Sequence, residues 1–241
     1  KFVDITVPED GLPVIGYYDR ERKDLLAALC RDPGCNSAAL RPLDTAGDVG
    51  WHSAIAAAPD GTILLSYFDA SRRDLKLVRC LDRGCQETEA VAVDLGGVGM
   101  GTDLLLDAAG RPFIVYWDFF NDDLKAARCR DLTCSDATLS RIDTAGSVGA
   151  NPAVALGTDG LPVIAYHDHS NSDIKVARCK DADCTQARVV TLDAEGSVGW
   201  HIDIAVGADG LPVVVYYDET NGDLKVAHCG DRGCTRAPPP R

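Results

Sequence analysis

The chain has 241 residues, 46% of them hydrophobic and 25% charged, and a formal net charge of -13. That balance belongs to a globular protein with a sizeable core and excludes disorder outside the closing Pro238, Pro239, Pro240 and Arg241. The acidic charge excludes nucleic acid as a partner, since affinity for phosphate backbones comes from Lys and Arg displacing counterions.

No apolar run approaches the roughly 20 residues that span a bilayer, so membrane insertion is not expected. Lys1-Phe2-Val3-Asp4 does not read as a signal peptide, so the sequence is expected to be a mature or trimmed chain. It begins with Phe2-Val-Asp-Ile-Thr-Val7, an alternating strand pattern, and from there one sentence of roughly 50 residues is written five times. Tyr17, Tyr67, Tyr116, Tyr166 and Tyr216 each stand two residues before Asp19, Asp69, Asp118, Asp168 and Asp218. A second aspartate follows at Asp24, Asp74, Asp123, Asp173 and Asp223, and then two cysteines.

The last copy shows the elements most clearly. His201-Ile-Asp-Ile-Ala-Val206 reads as a strand, Asp209-Gly210 as a turn, Leu211 to Tyr217 as a second strand, Asp218 to Asp223 as a hairpin, and Leu224 to Cys229 as a third strand. In earlier copies a fourth strand follows the cysteines, as in Ala187-Arg-Val-Val-Thr-Leu-Asp193, and a glycine loop leads onward. Four antiparallel strands per repeat make a propeller blade. The expectation is an all-β, single-domain, five-bladed β-propeller with blades at approximately 1–49, 50–98, 99–148, 149–198 and 199–241. After Cys234 only Thr235-Arg-Ala precedes the prolines, so the fifth blade is expected to have a short or missing outer strand.

The ten cysteines fall as Cys30/Cys35, Cys80/Cys85, Cys129/Cys134, Cys179/Cys184 and Cys229/Cys234. One pair per repeat predicts five local disulfides, because a zinc site would need four converging ligands. Each short loop stabilises by only roughly 2 kcal/mol on the chain-entropy account, so the bridges pin turns. They also point to a secreted protein, extracellular, on a cell surface or periplasmic.

The Asp-x-x-Asn-x-Asp hairpins of the last three copies have the oxygen ligands of a calcium site, but Arg22 and Arg72 replace the asparagine in the first two. A turn whose carboxylates accept backbone N–H groups accounts for all five, so no cofactor is expected. Gly50, Gly99, Gly149 and Gly199 are expected to require positive φ in the loops at the other end of the blades from the cysteines.

Departures from the repeat locate the candidate site. After those glycines the copies read Trp51-His52, Met100-Gly101, Ala150-Asn151 and Trp200-His201, with Lys1-Phe2 in the first. Nearby hairpins add Trp117, Phe119, Phe120, His167 and His169. Tryptophan faces stack on sugars while His and Asn direct hydrogen bonds. The candidate ligand-binding set is Trp51, His52, Asn151, Trp200, His201, Trp117, His167 and His169. The reading is a non-catalytic recognition module for a glycan or an extracellular protein. Alternatives are a scaffold subunit assembling through the open edge of blade five, and a metal-dependent hydrolase or lyase using His52 and His201.

The motif Tyr216-Tyr-Asp-x-x-Asn-Gly-Asp-Leu-Lys-Val-Ala-His-Cys229 resembles a tandem repeat of secreted bacterial β-propeller proteins of uncharacterised function. The five-bladed layout is similar to tachylectin-type sugar-binding propellers in architecture only.

Overall fold

The computed structural model describes residues 2–235. Lys1 of the expected channel ring and the closing prolines lie outside them. Blade 1 comprises β1 (Val3–Thr6), β2 (Val14–Asp19), β3 (Asp24–Cys30) and β4 (Ala38–Asp44). Blade 2 comprises β5 (Val49–Ala57), β6 (Ile63–Asp69), β7 (Asp74–Cys80) and β8 (Thr88–Asp94). Blade 3 comprises β9 (Met100–Leu106), β10 (Pro112–Asp118), β11 (Asp123–Cys129) and β12 (Ala137–Asp143). Blade 4 comprises β13 (Val148–Leu156), β14 (Pro162–Asp168), β15 (Asp173–Cys179) and β16 (Ala187–Asp193). Blade 5 comprises β17 (Val198–Val206), β18 (Pro212–Asp218) and β19 (Asp223–His228), and has three strands among the described residues. Strands follow one another across each sheet in chain order, as in a five-bladed propeller with a short last blade.

Two compact units divide the chain. One contains the residues up to Ile114 together with Cys129–Ala137, the other Val115–Arg128 and the residues from Thr138 on. In the first unit, Val14, Leu25, Val49, Ile55, Leu65 and Tyr67 bury the facing sides of blades 1 and 2. In the second, Val163, Ile174, Val198, Ile204, Val214 and Tyr216 do the same for blades 4 and 5. Blade packing therefore repeats, one apolar face on the next.

The recurring tyrosines, aspartates and lysines explain themselves at these junctions. The buried hydroxyl of Tyr166 donates to Asp143 (2.6 Å) and that of Tyr216 to Asp193 (2.8 Å), each across to the last strand of the preceding blade. Lys175 joins Asp143 to its own hairpin Asp168, at 3.3 and 2.7 Å, and Lys225 joins Asp193 to Asp218, at 3.1 and 2.8 Å. Tyr67, Lys76 and Asp44 repeat the arrangement between blades 1 and 2. The carboxylates are buried and the lysines at least partly so, so losing one member costs more than the pair contributes.

All ten cysteines are paired within their own repeats, as Cys30–Cys35, Cys80–Cys85, Cys129–Cys134, Cys179–Cys184 and Cys229–Cys234. The second member of each bridge takes a left-handed φ, 51° at Cys35, 45° at Cys85, 52° at Cys134 and Cys184, and 53° at Cys234. These cysteines are therefore turn-closing residues, at the end of the blades opposite the aromatic departures. The turn aspartate holds the backbone there. Asp32 accepts N–H bonds from Gly34, Asn36 and Ser37, led by Asn36, which keep its carboxyl below the usual range. The Asp-x-x-Asn hairpins also close on themselves: Asp118, Asp168 and Asp218 each accept the backbone and side-chain N–H groups of the asparagine three residues on. In blades 1 and 2, Asp19 and Asp69 bind the backbone N–H of Arg22 and Arg72 in the same way.

At the other end of the blades Gly50 and Gly149 take φ of 103 and 93°. A Cβ at Gly149 would lie 2.6 Å from the Leu124 Cα, so the positive φ and the close approach both require glycine.

Candidate functional site

The residues after those glycines form bulges. Trp51 pairs with Phe68 and Ala54 with Ser66, so β5 carries one residue more than its partner. The same shift occurs in β13 and β17. His52, Asn151 and His201, the extra-residue positions, sit at φ of 53, 48 and 53°. Left-handed backbone at a non-glycine residue costs on the order of 1 kcal/mol and clusters where side chains are being aimed.

In the first unit Trp51 and His52 stand in an aromatic group. Phe2 stacks on Trp51 with centroids 5.5 Å apart and planes 20° from parallel, and lies 4.3 Å from the His52 ring. Tyr18 meets Trp51 edge-on at 5.8 Å. Asp48 ties the group together, accepting from the Tyr18 hydroxyl and the Trp51 indole N–H, each at 2.8 Å, beside Lys23 at 3.4 Å. Burial works against its charge, but the bonds from Tyr18, Trp51 and Lys23 hold its carboxyl below the usual range.

Six predicted residues fall in the second unit: Trp117, Asn151, His167, His169, Trp200 and His201. The structure brings His167, His169 and Trp200 together, with ring centroids 4.7 to 5.7 Å apart. His201 lies 6.5 Å from Tyr217, and Trp117 meets Phe119 at 6.2 Å. His167 is 1% exposed and neither ring nitrogen has a hydrogen-bond partner. Burial, and then the neighbouring His169, push its pKa down to about 4 against the pull of Asp168 and Glu219. The indole N–H of Trp117 is likewise buried without an acceptor. As candidate metal ligands, His52 belongs to the first unit and His201 to the second; among the described residues no group of three or more His, Cys, Asp or Glu could hold a metal ion.

Sequence reasoning stopped two residues short of another feature. The next-but-one position on the innermost strands carries Asp4 in β1, Asp103 in β9 and Asp203 in β17. In the first unit β1 and β9 pack on either side of β5, which has Ala54 at that position. One Asp4 oxygen accepts the N–H of Ile5 (2.8 Å) and the other that of Ile55 (2.9 Å). Asp103 accepts from Leu104 at 2.8 Å. Both are partly exposed. Aligning the copies one register step further down the first strand would have found them.

No protein-family model matches the chain, and no curated protein matches it either. Solved structures do. A protein of unknown function from Dyadobacter fermentans is 12% identical with a TM-score of 0.67, over 98% of this chain and 81% of that one. An α-L-arabinofuranosidase from Lactobacillus brevis is 13% identical at a TM-score of 0.57, over 96% and 91%. An α-L-arabinofuranosidase from Fusarium graminearum, in complex with an iminosugar inhibitor, is 13% identical at a TM-score of 0.67, over 96% and 78%. At such identities the likeness is one of fold. It overturns the expectation of a non-catalytic recognition module, since two of these three proteins of like fold are glycosidases. The sequence reading looked for function only in loop departures and passed over the carboxylates in the innermost strands, where regular alternation conceals them.

Proposed function

We propose that this protein is a glycoside hydrolase acting on a glycan outside the cytosol, with Asp4 and Asp103 as its reacting carboxylates. The observation that carries the reading is their common register on β1 and β9, flanking β5, with Trp51 and His52 at the head of β5. Glycoside hydrolysis needs two carboxyl groups across the scissile bond, one to protonate the leaving oxygen and one to activate water or attack carbon. Asp4 is fixed by two backbone N–H groups, one from its own strand and one from β5, the preorganisation such chemistry requires. Trp51 offers an aromatic face of the kind that stacks on a sugar. The arabinofuranosidases of like fold support a glycan as the substrate class, and the five disulfides support an extracellular or periplasmic location. Incubating the protein with a panel of plant and microbial polysaccharides and aryl glycosides, and measuring released reducing sugar, tests the reading. Release from at least one arabinose- or galactose-containing substrate is expected; no release from any sinks it.

A second role, assembly by strand addition, is supported by blade 5. There β19 ends the sheet among the described residues, and Leu224 and Val226 are 72% and 42% exposed.

A further inference from the structure

The five repeats serve as controls for one another at the residue before the first cysteine. It is Arg79, Arg128, Arg178 and His228 in blades 2 to 5, but Leu29 in blade 1. The cation's partner differs between blades: in blade 2 Arg79 pairs with Glu89 on the outer strand, whereas in blade 4 it reaches the turn. The Arg178 guanidinium donates to the carbonyls of Leu161 and Pro162 and pairs with Asp159, in the turn between the first two strands. A second guanidinium, Arg232 from blade 5, stands 3.8 Å from the same carboxylate. In blade 5, His228 meets the corresponding Asp209 at 2.9 Å.

Blade 1 retains the receptor and lacks the cation. Asp10 is the counterpart of Asp159, and Leu12 and Pro13 are those of Leu161 and Pro162. The carboxylate accepts the Leu12 N–H at 3.0 Å and, among the described residues, makes no ion pair. Where the longer side chain is missing there is a cavity of about 470 Å³, floored by Val14, Leu29 and Ile63 and bordered by Pro8, Asp10 and Arg83. That volume is in the range of small-ligand sites, roughly 300 to 1,000 Å³. Arg83, the counterpart of Arg232 in sequence, lines the cavity with its guanidinium beside Gly61 in the blade 2 turn and makes no ion pair with Asp10 among the described residues. Pro8 replaces Gly157, over which Arg178 lies, and adds an apolar wall. Arg31 and Arg41 also line the cavity, but the Arg41 guanidinium is engaged by the carbonyls of Gly84 and Leu40.

We propose that this cavity binds an arginine side chain carried by a partner polypeptide. Its methylene stem would cover Leu29 and Val14, and its guanidinium would take the place that Arg178 fills in blade 4, on Asp10 and the Leu12 and Pro13 carbonyls. The net charge of -13 draws a basic segment toward the surface. The site lies at the cysteine-turn end of the blades, away from Trp51 and His52, and is independent of the hydrolase reading.

The capped peptide acetyl-Gly-Arg-Gly-amide, titrated into the intact protein by calorimetry or amide NMR, is the test. Saturable binding is expected, weakened about tenfold or more by Asp10→Asn and abolished by Leu29→Arg, which supplies the guanidinium from within. The citrulline analogue, uncharged but of similar shape, should not bind. An absence of saturable binding by the arginine peptide, undiminished binding in either folded variant, or equal binding of the citrulline peptide overturns the proposal. Melting curves establish that each variant is folded.

Discussion

Two aromatic clusters occupy the same slot of the repeat, one in each unit, and only one is chemically complete. In the first, the ring after the repeat tyrosine is Tyr18, the ring entering the next blade is Trp51, and Asp48 accepts from both. In the second, the same places hold His167, Trp200 and Ser197, and both nitrogens of His167 are buried without a partner. The fold thus fixes where the rings meet, and a single loop residue decides whether their polar atoms are satisfied. A buried imidazole left in this state is stable only while neutral.

The largest effect follows from His167. Its folded pKa of about 4 lies below the ordinary value of 6.5, so the unfolded chain binds the extra proton first. Stability is therefore complete above about pH 6.5 and is lost as pH falls toward 4, by as much as about 3 kcal/mol. Urea unfolding between pH 4 and 7.5 should show this slope, and His167→Phe should flatten it, since Phe68 holds the slot in blade 2. An unchanged slope in the variant would mean that other groups govern the acid limb.

Breaking the complete cluster comes next. Asp48→Ala leaves the Tyr18 hydroxyl and the Trp51 indole N–H without their acceptor, at a cost of about 1 to 2 kcal/mol in the same denaturation assay. The reciprocal change, Ser197→Asp, sharpens the comparison by placing a carboxylate beside His167 and Trp200. It should raise the His167 pKa by about one unit, read by NMR titration of the ring protons. No upward shift would show that the loop residue is not what separates the clusters.

The smallest effect concerns backbone pairing in the second unit, where β15 has neighbours on both sides and β19, among the described residues, on one. Amides of Leu224–His228 should exchange roughly tenfold faster than those of Ile174–Cys179. Equal protection would mean that the outer edge of blade 5 is covered.

Much of this was legible in the sequence for one physical reason: a tandem repeat prints its structural requirements five times. The disulfides, the hairpin aspartates and the positive-φ glycines recur because every turn needs them. The aromatic departures at Trp51, His52, Trp200 and His167 were legible as exceptions. What could not be read was the state of those side chains, because an unpaired imidazole nitrogen depends on packing from the neighbouring blade. Leu29 was an exception of the same kind, but its meaning needed Arg178 in place as a template. Asp4 and Asp103 were hidden for the opposite reason, since aspartate is so frequent at turns that two in the innermost strands attracted no notice.

The hydrolase reading is tested most directly by kcat/KM for sugar release by Asp4→Asn and Asp103→Asn, with melting temperatures as the control for folding. Loss of a reacting carboxylate should lower kcat/KM by about a thousandfold in each folded variant. Folded variants that retain wild-type kcat/KM would contradict the assignment of these two aspartates and return them to the role of hydrogen-bond acceptors in the innermost strands.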